Sequence, residues 1–151
     1  MSKFSDLRDA YNAKKAANNA HWEELFSQVV GLAKSFSAFL EIPEHARVTV
    51  DGVECPLLVV GKQEGTTFKI VKSKKEYSRQ ETALLVDMLL VVEVNEGKRP
   101  EKSIVYSLSV EKTGQFYTIR DLARGEAYEI RAGDFSRITE NFYRFAETEI
   151  Q

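Results

Sequence analysis

The chain has 151 residues, 43% hydrophobic and 29% charged, the size and balance of one soluble globular domain spanning 1–151 with a single continuous core. A formal charge of -2 and a pI near 5.8 exclude a generally basic nucleic-acid binder, although a local patch of either sign remains open. The charged start MSKFSDLRDAY, the lack of any apolar run near the roughly 18 residues of a membrane helix, and a lone Cys55 together predict a cytoplasmic protein without membrane contact or intrachain disulfide.

Residues 5–41 read as one long helix, with Ser5 as N-cap, Asp6 and Asp9 in the first turn where the dipole favours them, and Pro43 just past the end. Its halves differ in kind. Residues 4–21 are rich in Ala, Asn and Lys and carry only Phe4, Leu7 and Tyr11 as large apolar groups. In the second half Leu25, Val29, Leu32, Phe36 and Phe39 form one seam, and Trp22, Phe26, Val29, Ala33, Phe36 and Leu40 form another beside it. So wide an apolar face needs cover on more than one side, which predicts a dimer or packing face there and a homodimer built on it.

Strands follow. RVTVDGVEC places Asp51-Gly52 between β-branched residues, a strong hairpin signal. The second strand is expected to run on to Val60, with a bulge or edge at Pro56, then a turn over 61–65 and a third strand over 66–73. ALLVDMLLVVEV, residues 83–94, has two readings. Ser78 and Glu81 are spaced as a helical capping box, but the valines and the uniformly apolar even positions from Leu84 to Val94 favour a strand, which is the reading adopted. Asp87 then faces away from the main core. A polar loop, the strands SIVYSLSVE, FYTIRD and GEAYEI, and an amphipathic helix over 134–149 complete the chain. That helix carries Phe135, Ile138, Phe142 and Phe145 behind a cap at Asp134 or Ser136. The prediction is an α+β fold: a long N-terminal helix, an antiparallel meander of about six strands over 46–130, and a C-terminal helix.

Candidate chemistry is sparse. Asp87 as a general acid would need burial and a titrating partner; an ion pair or hydrogen bond with Lys69, Tyr106, Lys112 or Arg120 is the plainer expectation. His21 and His45 stand apart, and the His-x-Glu of HWEE lacks the downstream cysteines of zinc deaminases, so no metal is expected. Cys55 reads as a buried structural thiol, and no glycine-rich phosphate loop calls for a cofactor. One electrostatic cluster rises above this background. Residues 61–80 carry a local charge of +4, with Lys69, Lys72, Lys74, Lys75 and Arg79 around Tyr77. Basic groups with an interleaved aromatic suit phosphates and bases, while the plainer role of such lysines is to keep a sheet edge soluble. Residues 125–151 are acidic in turn, with six acids against three arginines, which suits a steered partner or a self-complementary dimer.

The predicted function is a small non-enzymatic protein of the inhibitor, immunity or adaptor type that binds another protein and acts as a homodimer. The first alternative is a nucleic-acid or phosphate-ligand binder through residues 61–80. The second is a small-molecule enzyme or carrier with a pocket between sheet and helix, where Asp87, Tyr106, Arg120 and Tyr128 would converge.

Overall fold

The computed structural model describes residues 2–71 and 77–150. The long helix α1 spans Lys3–Phe39, two residues earlier at each end than expected, because Ser2 and not Ser5 is its N-cap: the Ser2 hydroxyl accepts from the Ser5 N–H. At the other end Glu41 takes a left-handed φ of 56°. The Glu41 N–H donates to Ala38 O and the Ile42 N–H to Ser37 O, so the last carbonyls are satisfied without a glycine. At 1.5 Å per residue the helix is about 55 Å long. Among the described residues no helix is long and apolar enough to cross a membrane.

Strands β1 (Arg47–Val50) and β2 (Val53–Pro56) form the Asp51-Gly52 hairpin that the sequence predicts, with both turn residues at positive φ. The expectation that β2 continues to Val60 is corrected. The chain leaves the hairpin at Pro56, Leu57 O accepts from the Val91 N–H, and a new strand β3 (Leu58–Glu64) begins in a different sheet. The turn after it is shorter than expected, so that β3 pairs with β4 (Thr67–Ile70) across Gly65-Thr66. Gly61 is required here: a Cβ would lie 2.3 Å from Lys69 O and 2.6 Å from the Phe68 ring.

The opposed reading of residues 78–90 resolves in favour of strand. Ser78 and Glu81 belong not to a capping box but to a short strand β5 (Ser78–Gln80) and its turn, paired with β6 (Ala83–Val94). Strands β7 (Pro100–Thr113), β8 (Phe116–Asp121) and β9 (Glu126–Ile130) follow as antiparallel neighbours. The main sheet runs β4-β3-β6-β7-β8-β9 with β5 beside β3 on β6; together with the separate β1–β2 pair, nine strands in two sheets are found among the described residues where a single sheet of about six was expected over 46–130. Helix α2 (Ser136–Ile150) closes the chain.

The sheet has two covered faces. Leu84, Val86, Met88 and Leu90 point into the core with Leu25, Val29, Leu32 and Phe36 of α1 and Phe135, Ile138 and Phe142 of α2. On the other face Leu89 and Val91 bury against Val48, Val50 and Cys55 of the β1–β2 hairpin and Phe68 of β4. The alternation expected along β6 therefore holds to Leu90. Register shifts around Glu93 then end it, leaving Val92 41% exposed. The two seams of α1 are taken up by the chain's own fold except at Phe39: Leu25, Val29, Leu32 and Phe36 are buried, Trp22, Phe26, Ala33 and Leu40 are partly buried against the same core, and Phe39 is left 47% exposed. Gly31 admits the Phe135 ring, from which a Cβ would lie 3.0 Å.

Candidate functional site

The residues proposed for a small-molecule pocket do not converge. Tyr106 pairs with Met88 in register and shares its inward face; it is 0% exposed and its hydroxyl donates to Phe142 O at 2.8 Å. Burial pushes that phenol up. Tyr128, opposite Ile119, is also inward, donating to Glu126 and accepting from Asn141 Nδ2 at 3.1 Å. Asp87 and Arg120 lie on the other face of the sheet. Asp87 is half-buried, and its Oδ2 accepts from the Gln63 N–H at 2.7 Å, while Asp51 Oδ2 accepts from the Phe68 N–H at 2.8 Å. The two carboxylates thus brace the β3–β4 hairpin, which accounts for Asp87 without catalysis.

The basic cluster is also rearranged. Lys72, Lys74 and Lys75 lie outside the described residues. Tyr77 is corrected from an exposed stacking platform to a core side chain, 5% exposed with its ring 5.5 Å from Phe26. Lys69 is exposed on β4, and Arg79 stacks on Trp22 with Cζ 4.5 Å from the ring. The His21 Nε2–H donates to Thr82 O at 3.0 Å, tying the same level of α1 to the turn before β6.

Above this level no described strand packs on α1. Every residue from Asp6 to Ala20 is exposed, and Phe4, Leu7 and Tyr11 are 68%, 70% and 64% exposed. At 3-4 spacing these three occupy the same side of the helix as the buried seam farther along. Full cover would be worth about 1.5–3 kcal/mol for each of them. Arg8 lies over the Phe4 ring at 5.6 Å. Where the bare half meets the sheet, Tyr11, Lys14, Lys15, Asn18, Asn19, Trp22 and Arg79 line a recess of about 350 Å³ that has three cations and no acid among its described residues. The sequence marks Phe4, Leu7 and Tyr11 as the large apolar residues of a poor half-helix, but gives no sign of where the described strands cease to pack on α1.

A network one turn below holds α1 in place. Glu24 Oε1 accepts from Lys112 Nζ at 2.7 Å and from the Tyr117 hydroxyl. Lys112 first, and then Tyr117, hold the Glu24 carboxyl below its usual range. Burial and the Glu24 contact push the Tyr117 phenol up to about 12. The signs are opposite. The Glu24 contribution is intact above the ordinary glutamate value and is lost as pH falls through the lowered one. The Tyr117 contribution is intact below the phenol's ordinary value of 10.0 and fades as pH rises toward about 12. In a Tyr117→Phe variant, NMR titration of the Glu24 carboxyl is expected to move upward toward the ordinary range; an unmoved midpoint would assign the whole effect to Lys112.

A second polar constellation sits between the β8–β9 turn and α2, around a cavity of about 290 Å³ lined by Asp121, Arg124, Glu126, Tyr128, Asn141 and Phe145 among others. Of its charged lining residues, Arg124 Nε lies 2.6 Å from Asp121 Oδ2, Glu126 accepts from the Tyr128 hydroxyl, and Arg144 Nη2 lies 2.6 Å from Glu140 outside the lining. Compared with protein-family models, curated proteins and solved structures, the chain matches none.

Proposed function

We propose that this is a non-enzymatic protein of the inhibitor, immunity or adaptor kind, and that it holds another protein with the uncovered half of α1. The observation that carries this reading is the row Phe4, Leu7 and Tyr11, three large apolar side chains at least 64% exposed on a helix that no described part of the chain covers. Scattered apolar residues are ordinary on a surface, but a row on one face of a projecting helix is the form taken by helix-in-groove recognition. Arg8, Lys14 and Lys15 beside the row favour an acidic counterpart. A cytoplasmic setting fits the single buried thiol of Cys55.

A photo-crosslinking residue at position 11, irradiated in the producing cells, is expected to give a discrete protein adduct. No adduct, or adducts with nucleic acid alone, would remove the reading. The second outcome would favour the nucleic-acid alternative, which draws support from the three cations of the Tyr11–Arg79 recess.

A further inference from the structure

The exposed apolar side chains are not spread evenly. Of the ten large ones among the described residues, six sit at the two ends of the α1–α2 layer: Phe4, Leu7 and Tyr11 at one end, and Phe39, Tyr143 and Ile150 at the other. The two ends differ in charge. Along the bare half of α1, Phe4, Arg8, Tyr11 and Lys15 follow at spacings of 4, 3 and 4 on one narrow face, in the order apolar, basic, apolar, basic. On α2 the exposed residues Glu140, Tyr143, Glu147 and Ile150 follow at spacings of 3, 4 and 3. Taken from the C-terminus backwards they run apolar, acidic, apolar, acidic. Laid antiparallel, the two rows match position by position.

We propose that the partner of the bare half-helix is α2 of a second copy of this chain. This rests on the reading of that half-helix as a protein-recognition surface, and it names the occupant. The fold makes the contact reciprocal. Within one chain α2 runs alongside the end of α1 in the same direction, with Phe135 against Gly31 and Tyr143 against Phe39 at 5.8 Å. An α1 antiparallel to the neighbour's α2 is therefore also antiparallel to the neighbour's α1, as a two-fold axis requires, so each copy covers the other's exposed end and the assembly closes at two. Arg8 and Lys15 then face Glu147 and Glu140, and Phe4 and Tyr11 face Ile150 and Tyr143. Within one chain Tyr143 meets only the edge of the Phe39 ring and Glu140 pairs with Arg144 of the next turn, and both rows stay exposed.

The test is a pair of charge reversals at exposed positions; because Glu140 also pairs with Arg144, thermal unfolding of each variant is compared with the wild type to separate a folding defect from a lost contact. Sedimentation equilibrium of the intact chain should give about twice its 17.2 kDa at low salt. Arg8→Glu with Lys15→Glu, and separately Glu140→Lys with Glu147→Lys, should each give the single-chain mass, because like charges then meet at both contacts. An equimolar mixture of the two variants should recover the doubled mass, since both contacts of the mixed pair are again opposite in sign. A wild-type chain that stays at 17.2 kDa, variants that remain double, or a mixture that stays single would each overturn the inference. A position-11 adduct with a different protein, together with a single-chain mass, would remove the second copy while leaving the recognition surface in place. Failure of both would remove the two together.

Discussion

Phe36→Ala is expected to lower the unfolding free energy by about 3–5 kcal/mol. Phe36 is 0% exposed and joins all three partners of the main core: it belongs to α1, its ring meets Tyr106 of β7 edge-on at 5.8 Å, and it meets Phe142 of α2 at 5.7 Å. Tyr106 and Phe142 are themselves stacked at 4.4 Å, and the Tyr106 hydroxyl is fixed on Phe142 O. Neither ring can move into the space left by a truncated Phe36 without giving up that stack or that hydrogen bond, so the cavity stays largely open. Urea unfolding should show a lower midpoint at an unchanged slope. Phe39→Ala, one turn on and 47% exposed, is the control and should cost far less in the monomer. Since small domains are stable by about 5–15 kcal/mol in all, a loss below about 1 kcal/mol for Phe36→Ala would mean that these three elements do not meet through this ring.

Asp121→Ala is expected to cost about 3–5 kcal/mol, for an electrostatic reason. The Asp121 side chain is 1% exposed, and its Oδ1 also accepts from the Arg124 N–H, so one carboxylate holds both the backbone and the side chain of the turn. The Arg124 guanidinium is only 19% exposed, lies 3.3 Å from the Phe145 ring centre, and keeps Nη2 buried without an acceptor among the described residues. Without Asp121 this largely buried cation loses the carboxylate it is paired with. Replacing both, as Asp121→Leu with Arg124→Met, should recover much of the loss, because the penalty belongs to the uncompensated charge and not to the missing pair. If thermal unfolding placed the double variant below Asp121→Ala, lost packing and not stranded charge would account for most of the destabilisation.

What the sequence makes legible follows from whether a signal is local. The Asp51-Gly52 hairpin, the strand from Ala83 to Val94 and the outward facing of Asp87 all depend on turn chemistry and two-residue alternation, and all are found. The break between β2 and β3 depends on Leu57 O meeting the Val91 N–H, a contact over 34 positions that no neighbouring residue announces. Ser2 and Ser5 are equally eligible caps three residues apart, and Glu41 takes a conformation usually left to glycine. The candidate surface is legible in its residues and not in its exposure. Two seams on α1 demand cover, but nothing local says that β3, β6 and β7 supply it. Tyr77 among lysines resembles a stacking platform until the Phe26 ring is seen against it. Charge alone points Asp87 toward a side chain, whereas its partner is a backbone N–H two residues past Gly61, where composition has no voice.

The division of α1 into a packed half and a bare half also sets how the bare half stays helical. A free peptide with the sequence of residues 3–20 would have to form its own first turn, a step disfavoured by about a thousandfold, or about 4 kcal/mol. Here that step is made by Leu25, Val29, Leu32 and Phe36 in the core, and residues 20 down to 3 only extend an existing helix. Helicity should therefore fall gradually toward Lys3, with amide exchange slow near His21 and fast near the N-terminus. A partner meets a helix whose nucleation is already complete, and removing the packed half would return that cost to the binding step.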